Sequence, residues 1–238
     1  MRGVVTKRHV APSGTPLQVA GSPDAPRALI VLQEAFGVND HIRAVTESFA
    51  AADYYAAAPE LFHRNGSPEI AYDQFPDAMA SLATLSADGL RSDIEDTLHF
   101  LHDANYSTAS IGVVGYCMGG SVAFFAATLG GVGAAVSFYG GGVATGRFGL
   151  PSLLDQASLL RCPWNGHYGD LDKGIPVEQV EALRTATAAG EFSTHVYRYA
   201  DADHGFNCDG RPAVFNRDAS LEATARTLTF FEQQLSAR

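Results

Sequence analysis

A chain of 238 residues that is 46% hydrophobic can bury one large core, and it is read as a single domain spanning 1–238. A formal net charge of −10 with no lysine and arginine cluster argues against nucleic acid or an anionic membrane as partner, because both require a basic surface. No run of about 18 apolar residues occurs, and Met1 to Gly14 lacks the apolar stretch of a secretory signal, so a cytoplasmic protein is expected.

Arg27 to Glu34 is a short continuous apolar run, the pattern of a fully buried strand, followed by the turn signal Phe36-Gly37-Val38-Asn39-Asp40. His41 to Ala52 carries helical spacing through Ile42, Val45, Phe49 and Ala52. Tyr54 to Ala58 is a second apolar run, halted by Pro59. Asn65 to Gly89 is loop-rich, fits loops or short helices equally, and is long enough to hold a lid. Leu90 to Ala104 is helical, with Leu90, Ile94, Leu98 and Leu101 on one stripe. Ser110 to Val114 forms a buried strand that feeds a helix from Ser121 onward, and Gly133 to Tyr139 is the next strand. Gly140 to Ser152 is again loop-rich. Pro163 to Tyr168 and Thr194 to Ala200 are strands flanking a helix from Val177 to Ala189. Leu221, Ala225, Leu228, Phe231 and Leu235 stripe a terminal helix. Apolar strands alternating with amphipathic helices predict an α/β domain, a mostly parallel sheet with helices on both faces.

Between one strand and its helix stands Gly115-Tyr116-Cys117-Met118-Gly119-Gly120. A glycine-crowded turn there is the setting of a nucleophile elbow, which lifts one side chain above the sheet. Cysteine replaces the usual serine at the presented position. The alternative is a buried cysteine acting as a small hydrophobe. The other cysteines, Cys162 and Cys208, complete neither a disulfide pattern nor metal-ligand spacing, which fits a reducing compartment and predicts no metal. Cys162 reads as a strand-end residue and Cys208 stays ambiguous.

Ligands of parallel sheets bind beyond the carboxyl ends of the strands. Four reactive residues fall there: Glu34, Cys117, Asp172 in Tyr168-Gly169-Asp170-Leu171-Asp172, and His204 in Ala202-Asp203-His204-Gly205-Phe206. The order nucleophile, acid, histidine is that of the α/β-hydrolase triad. Taken singly, a loop histidine is commonly a surface residue and a turn aspartate a local cap. Glu34 has its own alternative, a helix N-terminal or loop carboxylate paired with Arg43 or another cation.

The chain resembles the dienelactone hydrolase (carboxymethylenebutenolidase) family of the α/β-hydrolase superfamily. The matching stretches are Gln33-Glu34-Ala35-Phe36-Gly37-Val38-Asn39, Tyr55-Ala56-Ala57-Ala58-Pro59-Glu60-Leu61-Phe62, the cysteine elbow, Gly169-Asp170-Leu171-Asp172 and Asp203-His204-Gly205-Phe206. The resemblance implies an α/β-hydrolase fold and a cofactor-free cysteine hydrolase acting on a small ester or lactone. Cys117 would be nucleophile, His204 base and Asp172 the acid that orients it. The family pattern selects Asp172 over Asp170. Glu34 would pair with the resting thiol and release it when substrate binds. The N–H after the nucleophile, Met118, serves an oxyanion hole in this fold, and the resemblance supplies Ala35 as the second donor.

The chain departs from the family where two arginines hold a substrate carboxylate. Asn207-Cys208 stands at one of those places, with Arg211 a few residues on, and Arg91 is the nearest arginine to the other. A lost guanidinium fork changes specificity, not only affinity. Phe36, Tyr139 and Trp164 are candidate pocket aromatics, with plain core packing as the alternative. A broad carboxylesterase, a non-catalytic small-molecule-binding protein and a thiol redox sensor with Cys208 as resolving cysteine are the competing functions. A monomer or small homo-oligomer is expected.

Overall fold

In the computed structural model, which describes residues 5–238, the continuous apolar runs become the interior of one sheet. The chain enters through β1 (Lys7–Val10) and β2 (Pro16–Ala20). It continues through β3 (Arg27–Leu32), β4 (Tyr54–Pro59), β5 (Ile111–Tyr116), β6 (Ala134–Phe138), β7 (Trp164–Gly169) and β8 (Thr194–Tyr199). The spatial order is β1-β2-β4-β3-β5-β6-β7-β8. Both pairings of β2 are antiparallel, and every pairing from β4 to β8 is parallel. Strands β4 to β6 are buried along their whole length, because helices cover both faces.

The helices are α1 (Asp40–Ala51), α2 (Phe75–Leu82), α3 (Ala87–Asp103), α4 (Met118–Leu129), α5 (Leu153–Gln156), α6 (Val177–Ala188) and α7 (Arg217–Gln234). Asn39 caps α1, Ser86 caps α3 and Asn216 caps α7, each side-chain oxygen accepting from an otherwise orphaned amide of the first turn. Helix α4 is apolar all round and buried from Met118 to Ala127. It packs on β3, β5 and β6 and brings its amino end to their carboxyl ends.

The α/β-hydrolase architecture expected from the periodicity is present, with three local differences. The β1–β2 hairpin lay outside the expected strands, because β1 (KRHV) is an exposed edge without an apolar pattern and β2 is only a short run after Gly14. Helix α3 begins at Ala87 rather than Leu90 because Ser86 Oγ accepts from Gly89 N at 3.1 Å. The loop-rich 65–89 stretch also folds α2, whereas the 140–152 stretch stays irregular. Among the described residues no helix is long and apolar enough to cross a membrane.

Helix α4 approaches β3 so closely that a Cβ on Gly119 would run into the Leu32 and Gln33 carbonyls. Backbone cannot yield as a side-chain tip can. We expect Gly119→Ala to cost about 2–3 kcal/mol or more, checked by urea unfolding of the purified variant.

Candidate active site

The elbow is a strained turn. Cys117 adopts φ 56° and ψ −117°, which a residue with a Cβ seldom does. The turn is held by Cys117 N–H donating to Phe138 O at 3.0 Å and Gly119 N–H donating to Gln33 O at 3.1 Å. This conformation points Sγ at the imidazole of His204, with Nε2 3.1 Å away. His204 lies in the loop after β8, and its Nδ1 is 2.6 Å from Asp172 Oδ2 in the loop after β7. Asp172 Oδ1 accepts from Gly174 N at 2.8 Å, so both oxygens of this buried carboxylate are engaged.

Burial alone would lower the basicity of His204. The adjoining Cys117 sulfur and the Asp172 carboxylate outweigh it and hold the imidazole well above its ordinary value. The contribution of this pairing to stability is complete below pH about 6.5 and fades as pH rises through the raised folded value.

Other readings of these loops are settled by partners. Asp170 pairs with Arg198 through both oxygens, at 2.7 and 2.8 Å, and takes no part in the triad geometry. Asp203 accepts from the backbone of His204 itself. Cys162 is buried and burial pushes its thiol up to about 12. Burial first, then Glu34, push Cys208 up to about 11.

Glu34 is fully buried just past β3. Arg43 is not its partner, being spent on Asp40, Glu69 and the Val38 carbonyl. The expected pairing of Glu34 with the resting thiol is not the arrangement found either. Cys117 is hydrogen-bonded to His204, and Glu34 Oε1 accepts from the Tyr139 hydroxyl at 3.1 Å. An imidazole with a carboxylate behind it competes better for a thiol proton than a lone carboxylate would.

The triad opens into a cavity of about 680 Å³. Ala35, Phe36 and Met118 line it, as expected. Neither the Ala35 nor the Met118 N–H donates in a turn, loop or cap hydrogen bond among the described residues. Three expectations need correction. Tyr139 is buried, with φ 40°; burial first, then Glu34, raise its hydroxyl well above the usual value, and it holds Glu34 and packs on the His204 ring at 5.1 Å instead of lining the cavity. Trp164 is core, edge-on to Phe124, with its indole N–H donated to Ser137 Oγ at 2.9 Å. Arg91 lies outside the cavity, stacked over Phe125 at 5.3 Å in a separate surface cleft.

Arg211 does line the cavity, beside Phe36. So does Arg147, which sequence reasoning missed. It sits in the irregular 140–152 loop, where no periodicity signals which way a side chain faces. Neither guanidinium forms an ion pair among the described residues. Phe75 and Met79 of α2, each at least half exposed, form an apolar rim.

The sheet, the strained elbow and a cysteine, histidine and aspartate in hydrogen-bonded series define an α/β-hydrolase. The dienelactone hydrolase family profile matches residues 18–235. A Synechocystis protein named as a candidate carboxymethylenebutenolidase is 32% identical over 92% of this chain and 93% of its own length. The carboxymethylenebutenolidase of Pseudomonas putida is 30% identical over 79% of each chain. A Klebsiella pneumoniae crystal structure described as a candidate dienelactone hydrolase superposes with a TM-score of 0.87 at 29% identity, covering 97% of this chain and 99% of that one. This chain belongs to the dienelactone hydrolase family and is a hydrolase.

His204 owes part of its raised basicity to the sulfur, so we expect its titration, followed by NMR of the ring protons, to move to lower pH in Cys117→Ser. An unmoved midpoint would separate the two groups electrostatically.

Proposed function

We propose that this protein hydrolyses small esters or lactones, the dienelactone type among them, with Cys117 as nucleophile and a thioacyl-enzyme intermediate. The observation that supports this best is the unbroken series Sγ, Nε2, Nδ1 and Asp172 Oδ2 at the wall of a large cavity.

The residues assign the steps. His204 Nε2 takes the thiol proton and the sulfur attacks the carbonyl carbon. The carbonyl oxygen gains the negative charge and accepts from the N–H groups of Ala35 and Met118. One such donor is worth roughly 3–4 kcal/mol of transition-state stabilisation in hydrolases of this kind. The tetrahedral centre collapses, the C–O bond breaks, and the imidazolium passes its proton to the leaving alkoxide. In a lactone that alkoxide remains tethered to the acyl group. Water, deprotonated by the same imidazole, then attacks the thioester; the acid leaves and the thiol is restored. Asp172 fixes the His204 tautomer and stabilises each imidazolium. Glu34, tied to Tyr139, keeps its carboxylate off the sulfur throughout.

A substrate carboxylate would find Arg147 and Arg211 available in the cavity wall, beside the apolar side chains of Phe36, Met79 and Leu82. A second reading, a broad carboxylesterase, is favoured by the apolar rim of Phe75 and Met79. Dienelactone compared with uncharged p-nitrophenyl esters decides between them.

Cys117→Ala is expected to lower kcat/KM on a p-nitrophenyl ester at least about a thousandfold, with mass spectrometry showing no acyl adduct; undiminished turnover would remove the nucleophile. Arg147→Ala is expected to raise KM for a carboxylate-bearing ester about tenfold or more while leaving neutral esters near wild type. Steady-state kinetics on the pair of substrates reads the difference.

A further inference from the structure

Glu34 belongs to a second group of reactive side chains, one that the triad does not use. A carboxylate oxygen of Glu34, an imidazole nitrogen of His41 and Cys208 Sγ lie within 4.8 Å of one another. They come from three places in the chain: the end of β3, the first turn of α1 and the loop after β8. Exposure of the three is 0%, 8% and 0%. Glu34 Oε2 and His41 Nε2 are both buried and have no hydrogen-bond partner. A carboxylate oxygen and an imidazole nitrogen left unpaired at such depth are unfavourable, so the group calls for something that accepts lone pairs.

The surroundings are those of a ligand shell. His41 Nδ1 lies 3.3 Å from Asp209 Oδ1, which places the ring proton there and leaves Nε2 with its lone pair. A carboxylate behind a histidine is the usual second layer around a bound metal. The Tyr72 hydroxyl accepts from Asn39 Nδ2 at 3.1 Å and stands within hydrogen-bond distance of Cys208 Sγ, at 3.2 Å.

We propose that Glu34, His41 and Cys208 bind a borderline-soft divalent cation, with Zn²⁺ the best match. One thiolate, one carboxylate and one neutral imidazole carry two negative charges, which a dication cancels in a buried site. Sulfur, nitrogen and oxygen donors at about 2.0–2.3 Å from Zn²⁺ stand roughly 3.5 Å apart in a tetrahedron. The three donors stand within 4.8 Å of one another, so small side-chain rotations bring them to that spacing. Binding transfers the Cys208 thiol proton to solvent as the sulfur–metal bond forms, with no change of oxidation state. The fourth position is left for water. Sequence spacing gives no hint of the site, because its ligands are far apart along the chain.

The 238-residue chain, stripped with chelator, is titrated with Co²⁺ and then with Zn²⁺. One equivalent of Co²⁺ is expected to bind with a thiolate-to-cobalt charge-transfer band, which Zn²⁺ displaces. The band is expected to persist in Cys117→Ser and vanish in Cys208→Ser, and His41→Ala should weaken binding at least about tenfold. Absence of saturable binding overturns the site, as does a band that survives Cys208→Ser or is lost in Cys117→Ser. Should Cys208→Ser fail to fold, X-ray absorption of Zn²⁺-loaded Cys117→Ser carries the test. One sulfur neighbour at about 2.3 Å supports the site, and a shell without sulfur overturns it. These readouts do not involve turnover, so they stand apart from any failure of the proposed hydrolysis.

Discussion

The backbone at Cys117 is the constraint from which the site follows. A non-glycine residue at φ 56° and ψ −117° costs roughly 1–3 kcal/mol and survives only where its surroundings over-determine it. Here they do. The residue lies between a buried strand and a buried helix, and two backbone hydrogen bonds hold the turn from β6 and the end of β3. The glycines beside it allow α4 to press against the carbonyls of the sheet. The strained conformation aims the sulfur at His204.

Two buried carboxylates near this turn have different environments and different roles. Asp172 has both oxygens satisfied and faces an imidazole, so its charge is used to raise the basicity of His204. Glu34 has one oxygen on Tyr139 and the other without a partner. A half-satisfied carboxylate is a poor structural element, since the fold gains little from burying it. It suits a group that receives a ligand, and the proposed cation site is what its neighbours His41 and Cys208 provide.

The cavity is built differently from the triad. Beyond the strand-end loops that carry Asp172 and His204, its walls come from α2, which supplies Phe75 and Met79, and from irregular segments that carry Arg147 and Arg211. Short turns anchored at the strand ends hold the reacting atoms, while α2 and the irregular segments shape what reaches them. That division leaves the Cys117, His204 and Asp172 series at the strand ends and brings Arg147 and Arg211 to the cavity from irregular segments.

Local pattern determined the scaffold. Apolar runs such as Ala28 to Leu32 and Ile111 to Val114 are legible as buried strands because burial on both faces leaves no polar alternation. Cys117, Asp172 and His204 were legible because strand ends in a parallel sheet converge on one edge, and glycine spacing marks the elbow. The β1–β2 hairpin was not, since an exposed edge strand carries no apolar signature. Tertiary structure alone decided that Tyr139 braces Glu34, that Arg147 rather than Arg91 reaches the cavity, and that Glu34, His41 and Cys208 meet. Those outcomes depend on side-chain direction and on contacts between segments remote in sequence, and periodicity encodes neither.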